Sequence, residues 1–188
     1  NFAFSSLWLV SRLQEFQALH PGVSLHLVPA LWESDYRQRN EGIEIRFGTG
    51  GWTDEKSILF GNLDAFPVCS PYLAQSIGTD GNIANLPAIS MTGMSEQWDD
   101  FYQATGMTPP GHKPGLATPS FNIALEMATL GMGMVLGHQV VCDRYLEDGT
   151  LVKPSGHSIP MRECYYMVHE EELSKQEQLF VDWIKSRT

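Results

Sequence analysis

The 188 residues carry 22 acidic against 12 basic side chains, for a formal net charge of −10, and 43% of them are hydrophobic. Such a chain buries a sizeable core and has room for one large domain or two small lobes that share strands. With no lysine- or arginine-rich run it lacks the clustered cations that contact phosphates, so it is not expected to bind nucleic acid by itself. Cys69, Cys142 and Cys164 are odd in number and widely spaced, which excludes a disulfide framework or a zinc ribbon and fits reduced thiols in a cytoplasmic protein. There is no signal-peptide pattern and no apolar run of membrane-spanning length. The chain starts at Asn1, not Met, and is read as a piece of a longer protein.

Asn1–Phe4 reads as the tail of a strand. Ser5–Leu19 follows as a helix with Leu9, Leu13 and Phe16 on one face, Ser5 or Ser6 as its N-cap and Pro21-Gly22 as its stop. Val23–Val28 alternates apolar and polar residues and predicts a strand. Trp32–Arg39 is polar, a short helix at most. Ile43–Gly48 predicts a strand that runs into a glycine turn with Trp52 at its tip. Arg46 inside that strand demands a partner, either a nearby carboxylate or an anionic ligand group.

Phe66–Ser70 predicts a strand that crosses between lobes, Pro71–Gln75 a short helix, Ser76–Leu86 a polar loop and Ala88–Met91 a brief strand. Trp98–Thr105 predicts a helix with Trp98, Phe101 and Tyr102 on one side. The Pro- and Gly-rich stretch Thr108–Leu116 leads into an extended segment. From Pro119 to Val152 the period changes three times. Ile123, Met127 and Leu130, flanked by Ala124 and Ala128, predict the buried face of a helix ending at Gly131, Gly133–Leu136 a buried strand, and His138–Leu146 a second helix. Met132, Met134 and the glycines read as packing residues or as a ligand loop. Glu163–His169 predicts a strand, and Ser174 with Glu177 forms a capping box that opens a C-terminal helix to Ser186.

Phosphate-loop, dinucleotide-fold, zinc-protease and nucleophile-elbow motifs are all absent, and the six histidines never fall at i, i+4, so no cofactor and no metal is expected. A hydrolase using His138 with Cys142 or Cys164 rests on residue types alone. What remains is two hydroxyl-bearing helix starts, Ser5-Ser6 and Thr118-Pro119-Ser120. A helix N-terminus offers free N–H groups and a positive dipole end to an anion, so these starts are either simple caps or, with Arg46, an anion pocket.

The order of the segments SSLWLVSRLQEFQALHPGVSL, IEIRFGTGGW, FPVCSPYLA, LEMATLGMGMVLG, LEDGTLV and YYMV…FVDWIKS resembles the effector-binding domain of LysR-type transcriptional regulators, in the glycine-cleavage and β-lactamase-activator branch. The resemblance covers nearly the whole chain. It implies an α/β fold of two Rossmann-like subdomains joined by two crossover strands, of the type II periplasmic-binding-protein kind. One subdomain would hold 1–66 plus 142–188 and the other 71–138, with crossovers near 66–70 and 134–138. A small-molecule effector would bind between the lobes, met by Ser5, Ser6, Trp32, Arg46, Phe47, Thr92, Thr118, Ser120 and Tyr165. The resemblance further implies a sensor, not an enzyme, forming a homodimer or tetramer. DNA would be met only through an N-terminal winged helix-turn-helix domain absent from this chain, and no membrane would be involved. A solute-binding protein of a transporter is the alternative with the same fold. Two positions depart from the pattern: Gly42 stands where an acid usually precedes the strand-end Arg, and Pro119 where an acid usually precedes Ser120.

Overall fold

The computed structural model describes residues 1–29, 42–51, 56–78, 81–111, 113–169 and 172–188, with backbone alone at 56–59. The expectations placed on Trp32, Trp52 and the 32–39 helix lie outside these residues. The chain divides into two compact units, Asn1–Asn62 with Glu163–Thr188, and Leu63–Arg162. Residues 142–162 group with the second unit, later than the sequence placed the boundary, because backbone pairing holds them there. Val152 and Cys69 exchange N–H···O bonds at 2.9 and 3.0 Å, and the Met161 N–H reaches the Leu63 carbonyl at 2.8 Å.

In the first unit the N-terminal helix is longer and less regular than the sequence suggests. Phe4–Leu9 is wound as a π-helix, Val10–Arg12 as a 3₁₀ turn, and only α1 (Leu13–Leu19) is α-helical. Residues 2 and 3 are already helical, so Asn1–Phe4 is not a strand tail, and the side chain of Asn1 accepts from the Phe4 N–H at 3.0 Å. Strands β1 (Glu44–Gly48) and β2 (Lys56–Phe60) flank β8 (Cys164–Val168), both antiparallel. Val23–Val28 is irregular, because none of the described strands pairs with it and alternation alone does not supply ladder partners. The core is aromatic: Phe4 lies 5.2 Å from Tyr165 and stacks on Trp8 at 4.9 Å. Helix α6 (Lys175–Lys185) begins with the expected reciprocal Ser174–Glu177 capping box and packs Phe180 and Trp183 against Phe16.

The second unit is a five-stranded sheet in the order β5-β4-β6-β3-β7, comprising β5 (Leu116–Thr118), β4 (Ala88–Met91), β6 (Met134–Gly137), β3 (Asp64–Val68) and β7 (Ile159–Pro160). β4 runs parallel to β5 and β6, whereas β3 is antiparallel to β6 and β7. Ser70 caps the short α2 (Pro71–Ala74) through the Leu73 N–H. Helix α3 (Trp98–Thr105) buries the expected Trp98, Phe101 and Tyr102, and the Trp98 indole donates to the Ile89 carbonyl at 2.9 Å, fastening the helix across β4.

Helix α4 (Phe121–Thr129) reverses the sequence expectation. It buries Phe121, Ala124, Leu125 and Ala128, while Ile123 is 55% and Leu130 69% exposed. Both faces are apolar at helical spacing, so periodicity could not choose between them. The alanine-bearing face wins because small side chains let the helix approach the sheet closely. Gly131 follows at φ 75°, and the Met132 N–H bonds back to the Met127 carbonyl as in a Schellman turn. Helix α5 (Gln139–Glu147) then packs Val140, Val141 and Cys142 inward.

Gly133 precedes β6 and Gly137 ends it, the first with tight and the second with no room for a side chain. A Cβ on Gly133 would stand 3.0 Å from the Pro87 carbonyl oxygen, and one on Gly137 2.3 Å from the Cys142 sulfur. These contacts support the packing reading of the glycines over a ligand loop. Gly137→Ala is therefore expected to lower stability by about 1–3 kcal/mol, the usual range for overpacking. Adding Cys142→Ala should recover part of that loss in urea denaturation; equal stability of Gly137→Ala and wild type would refute the close contact.

Candidate functional site

The parallel register of β5, β4 and β6 aligns three strand ends. Met91 lies opposite Thr118, and continuing the β4–β6 register from Ile89↔Val135 brings Gly137 level with Met91. Immediately beyond these ends stand Thr92, Ser120 and His138. The Thr92 N–H donates to the Thr118 carbonyl at 3.0 Å, and the Ser120 N–H donates to Thr118 Oγ1 at 3.2 Å. Thr118 is buried and its hydroxyl is fixed by that bond, Ser120 is half-buried, and Thr92 is exposed.

Helix α4 starts at Phe121, two residues later than Pro119 suggested, with Ser120 in extended conformation at the cap and no side-chain cap bond. Helix α5 starts beside it after His138, also without a side-chain cap. Two helix N-termini, with positive dipole ends and no side-chain cap bond from Ser120 or His138, therefore open on the carboxyl edge of the sheet, where α/β folds place their ligands.

His138 is the residue the sequence did not connect with this edge. It is fully buried and sits edge-on to Phe121 at 5.1 Å, tying the start of α5 to the start of α4. Burial drives its pKa down to about 3, so the imidazole is neutral. The available signal was a lone imidazole closing the apolar run of β6, where a helix begins. The same burial argues against the pairing of His138 with Cys142 considered above. The Cys142 thiol is pushed up to about 12, by burial first and by Asp143 second, and the Cys69 thiol to about 11, so both are protonated near neutrality, unlike activated nucleophiles. Among the described residues no group of three or more His, Cys, Asp or Glu is placed to hold a metal ion.

The other expected residues lie in the first unit. Arg46 is paired with Glu44 two residues back on β1, Nε to Oε2 at 2.8 Å and Nη2 to Oε2 at 2.7 Å, which satisfies the carboxylate alternative. Phe47 faces Tyr165 across the β1–β8 ladder at 4.7 Å, and Tyr165 is 1% exposed, a core ring and not a rim residue. Ser5 and Ser6 do not cap a helix. Their hydroxyls donate one turn back, to the Asn1 and Phe2 carbonyls at 3.0 and 2.9 Å, because the helix has already begun. The anion-ready helix start expected there is absent. Trp32 lies outside the described residues. Thus Thr92, Thr118 and Ser120 are gathered in one unit, and Ser5, Ser6, Arg46, Phe47 and Tyr165 belong to the other.

A mixed α/β chain of two units, one with two uncapped helix starts at a parallel-strand edge, has the architecture of a periplasmic-binding-protein-like effector domain. The LysR substrate binding domain family model matches residues 2–188, and the chain belongs to that family. It is similar to the HTH-type transcriptional activator AmpR of Rhodobacter capsulatus, 27% identical over 88% of this chain and 56% of that protein. It is also similar to the glycine cleavage system transcriptional activator of Escherichia coli, 22% identical over 98% of this chain and 62% of that protein. The chain thus spans less than two thirds of the length of these regulators. Among solved structures, the AmpR effector binding domain from Citrobacter freundii superimposes with a TM-score of 0.80 at 24% identity, covering 98% of this chain and 93% of that one. The effector domain of AmpR of Pseudomonas aeruginosa gives 0.77 at 22% identity, covering 98% and 90%. The fold expected from the sequence is therefore the fold found, and family membership sets aside the transport-component alternative.

A neutral buried His138 makes stability depend on pH in a defined direction. Its folded pKa of about 3 lies below the ordinary 6.5, so the unfolded chain binds the extra proton. The contribution is complete above about pH 6.5 and is lost as pH falls toward 3, at no more than about 1.4 kcal/mol per pH unit. Urea denaturation of wild type and His138→Leu at pH 7.5, 6, 5 and 4 should show the gap between them shift in favour of the variant on acidification. A gap independent of pH would refute the neutral assignment.

Proposed function

We propose that this chain is the sensing part of a LysR-type transcriptional regulator and takes a small, polar, carboxylate-bearing effector. The observation that carries this reading is the meeting of Thr92, Thr118 and Ser120 with two uncapped helix starts on one sheet edge. Those groups are hydroxyls and amide N–H donors, with the neutral His138 beneath them, so the edge suits an anion that brings its own acceptors. Ser5, Ser6, Trp32, Arg46, Phe47 and Tyr165 are kept as further effector-binding residues on the family likeness alone. Binding biases the arrangement of the protein in proportion to the ligand's differential affinity for the alternatives, and the full-length protein passes that bias to a DNA-binding domain outside this chain. The chain works in the cytoplasm, catalyses nothing and needs no cofactor; none of its described helices is long and apolar enough to cross a membrane.

Isothermal titration with a panel of small mono- and dicarboxylates tests the site. Binding by a panel member should weaken about tenfold or more in Ser120→Ala, the scale of a lost hydrogen bond to a charged group. Unchanged affinity in the variant would remove Ser120 from the site.

Assembly as a homodimer or tetramer is part of the same proposal. Its support is the apolar face that α4 leaves uncovered, with Ile123, Leu130 and Met132 exposed and Tyr72 78% exposed nearby. Sedimentation of the wild-type chain should report a dimer that Leu130→Glu shifts toward monomer; a wild-type monomer at high concentration would count against it.

A further inference from the structure

Strand β4 and helix α3 are joined by six residues, Thr92–Gln97, all within the second unit. The first of them, Thr92, stands on the sheet edge and donates its N–H to the Thr118 carbonyl at 3.0 Å. Near the far end, Glu96 is 7% exposed and receives Arg162 on a single oxygen, the Arg162 N–H at 3.2 Å and its Nε at 2.9 Å. The Nη2 of the same arginine donates to the Ser95 carbonyl at 3.0 Å. Arg162 is the last residue of this unit, so the loop grips the chain where it leaves.

The loop is bonded to itself. Gln97 Nε2 donates to the Met91 and Met94 carbonyls at 2.9 and 2.7 Å, and the Trp98 indole seats the next helix on the Ile89 carbonyl. A ligand that orders Thr92 therefore orders Glu96 with it. The exit is bound as well. Met161 donates its N–H to the carbonyl of Leu63 at 2.8 Å, and Leu63 is where the chain enters the unit, after Asn62 at φ 56°. Met161 and Arg162 thus fasten the chain at its entry and at its exit. Glu96 Oε2 is buried and meets no hydrogen-bond partner among the described residues, so the buried charge depends on Arg162. A buried carboxylate that loses its cation is strongly disfavoured, so this bond is made or broken, not stretched, which gives it two discrete states.

From the self-bonded loop, the buried Glu96 and the arginine at the chain's exit, we infer that Thr92–Gln97 relays occupancy of the effector edge to the crossing at Arg162, with Glu96 as its positioning residue. The inference rests on the edge being the effector site proposed above. A carboxylate held at the edge engages Thr92, immobilises the loop and strengthens the Glu96–Arg162 pair. With the edge empty the pair opens more often and the crossing is freer. By reciprocity, whatever factor the ligand adds to closure of the pair, the intact pair adds to affinity for the ligand.

Hydrogen exchange of the 188-residue chain reads both ends without a ligand, at the Thr92 N–H on the edge and the Arg162 N–H at the exit. Arg162→Ala removes a side chain that is 68% exposed, so it opens no cavity. It should speed exchange of the Thr92 N–H about tenfold or more, the scale of a lost bond to a charged group. Glu96→Gln keeps the shape, loses the charge and should speed exchange at both amides. The Trp98 indole N–H should keep its protection in both variants, since general loosening of the unit would expose it too. Arg187→Ala, which breaks the pair with Glu15 in the first unit, should leave Thr92 unchanged. Titration with acetate and with succinate then joins the relay to a ligand. A probe that shifts the Thr92 and Ser120 amides should also slow exchange at Arg162, and Arg162→Ala should weaken its binding by the same factor. Unchanged Thr92 exchange in both variants, equal loss of protection at the Trp98 indole, or a probe bound at the edge without slower exchange at Arg162 would each overturn the relay. Faster Thr92 exchange in the variants with no binding by either probe would support the coupling and count against the carboxylate reading alone.

Discussion

The second unit depends on how closely β6 can be seated. Gly133 sits against the Pro87 carbonyl at the start of the strand, Gly137 against the Cys142 sulfur at its end, and the Met134 N–H reaches Pro87 at 2.7 Å between them. The Gly133 contact and the Met134 N–H bond tie the start of β6 to Pro87, just before β4, while Gly137 lets the helix that follows pack closely on the strand's end. Register is otherwise a weakly determined property of a four-residue strand. Here the tie to Pro87 favours the observed pairing of Ala88 with Met134, and the register in turn fixes which residues emerge at the carboxyl edge.

From that alignment the chemistry of the edge follows. Two helices begin there without a side-chain cap bond, and Thr92, Thr118 and Ser120 bring hydroxyls to the same edge. His138 lies beneath, stripped of its proton by burial and held against Phe121. A positively charged imidazole at the same point would cost the core its desolvation energy. Keeping it neutral leaves the dipole ends of α4 and α5 as the positive potential in this part of the structure.

Arg46 shows the opposite arrangement. Its guanidinium is already neutralised by Glu44 on the same strand face, so any anion it receives must compete with a carboxylate that is covalently close. The pairing keeps the half-buried cation satisfied when no ligand is present, which an unpaired guanidinium in a strand would not be.

Much of the architecture was legible in the residues themselves. The spans of β4 and α3 and the capping box of α6 were each written in local pattern, because turn chemistry and apolar spacing act within a few residues. The Schellman end of α4 at Gly131 was visible for the same reason. Other features were decided only in three dimensions. Val23–Val28 has the alternation of a strand but no described partner. Ser5 and Ser6 have the composition of a cap but lie inside a helix that has already started. Helix α4 carries two apolar faces, and the sheet selected the one with alanines, leaving Ile123 and Leu130 outside. The convergence of Thr92, Thr118, Ser120 and His138 was equally invisible in the chain, where 46 positions separate the first from the last. Sequence sets what a segment can form, whereas pairing, burial and proximity belong to the neighbours that folding brings to it.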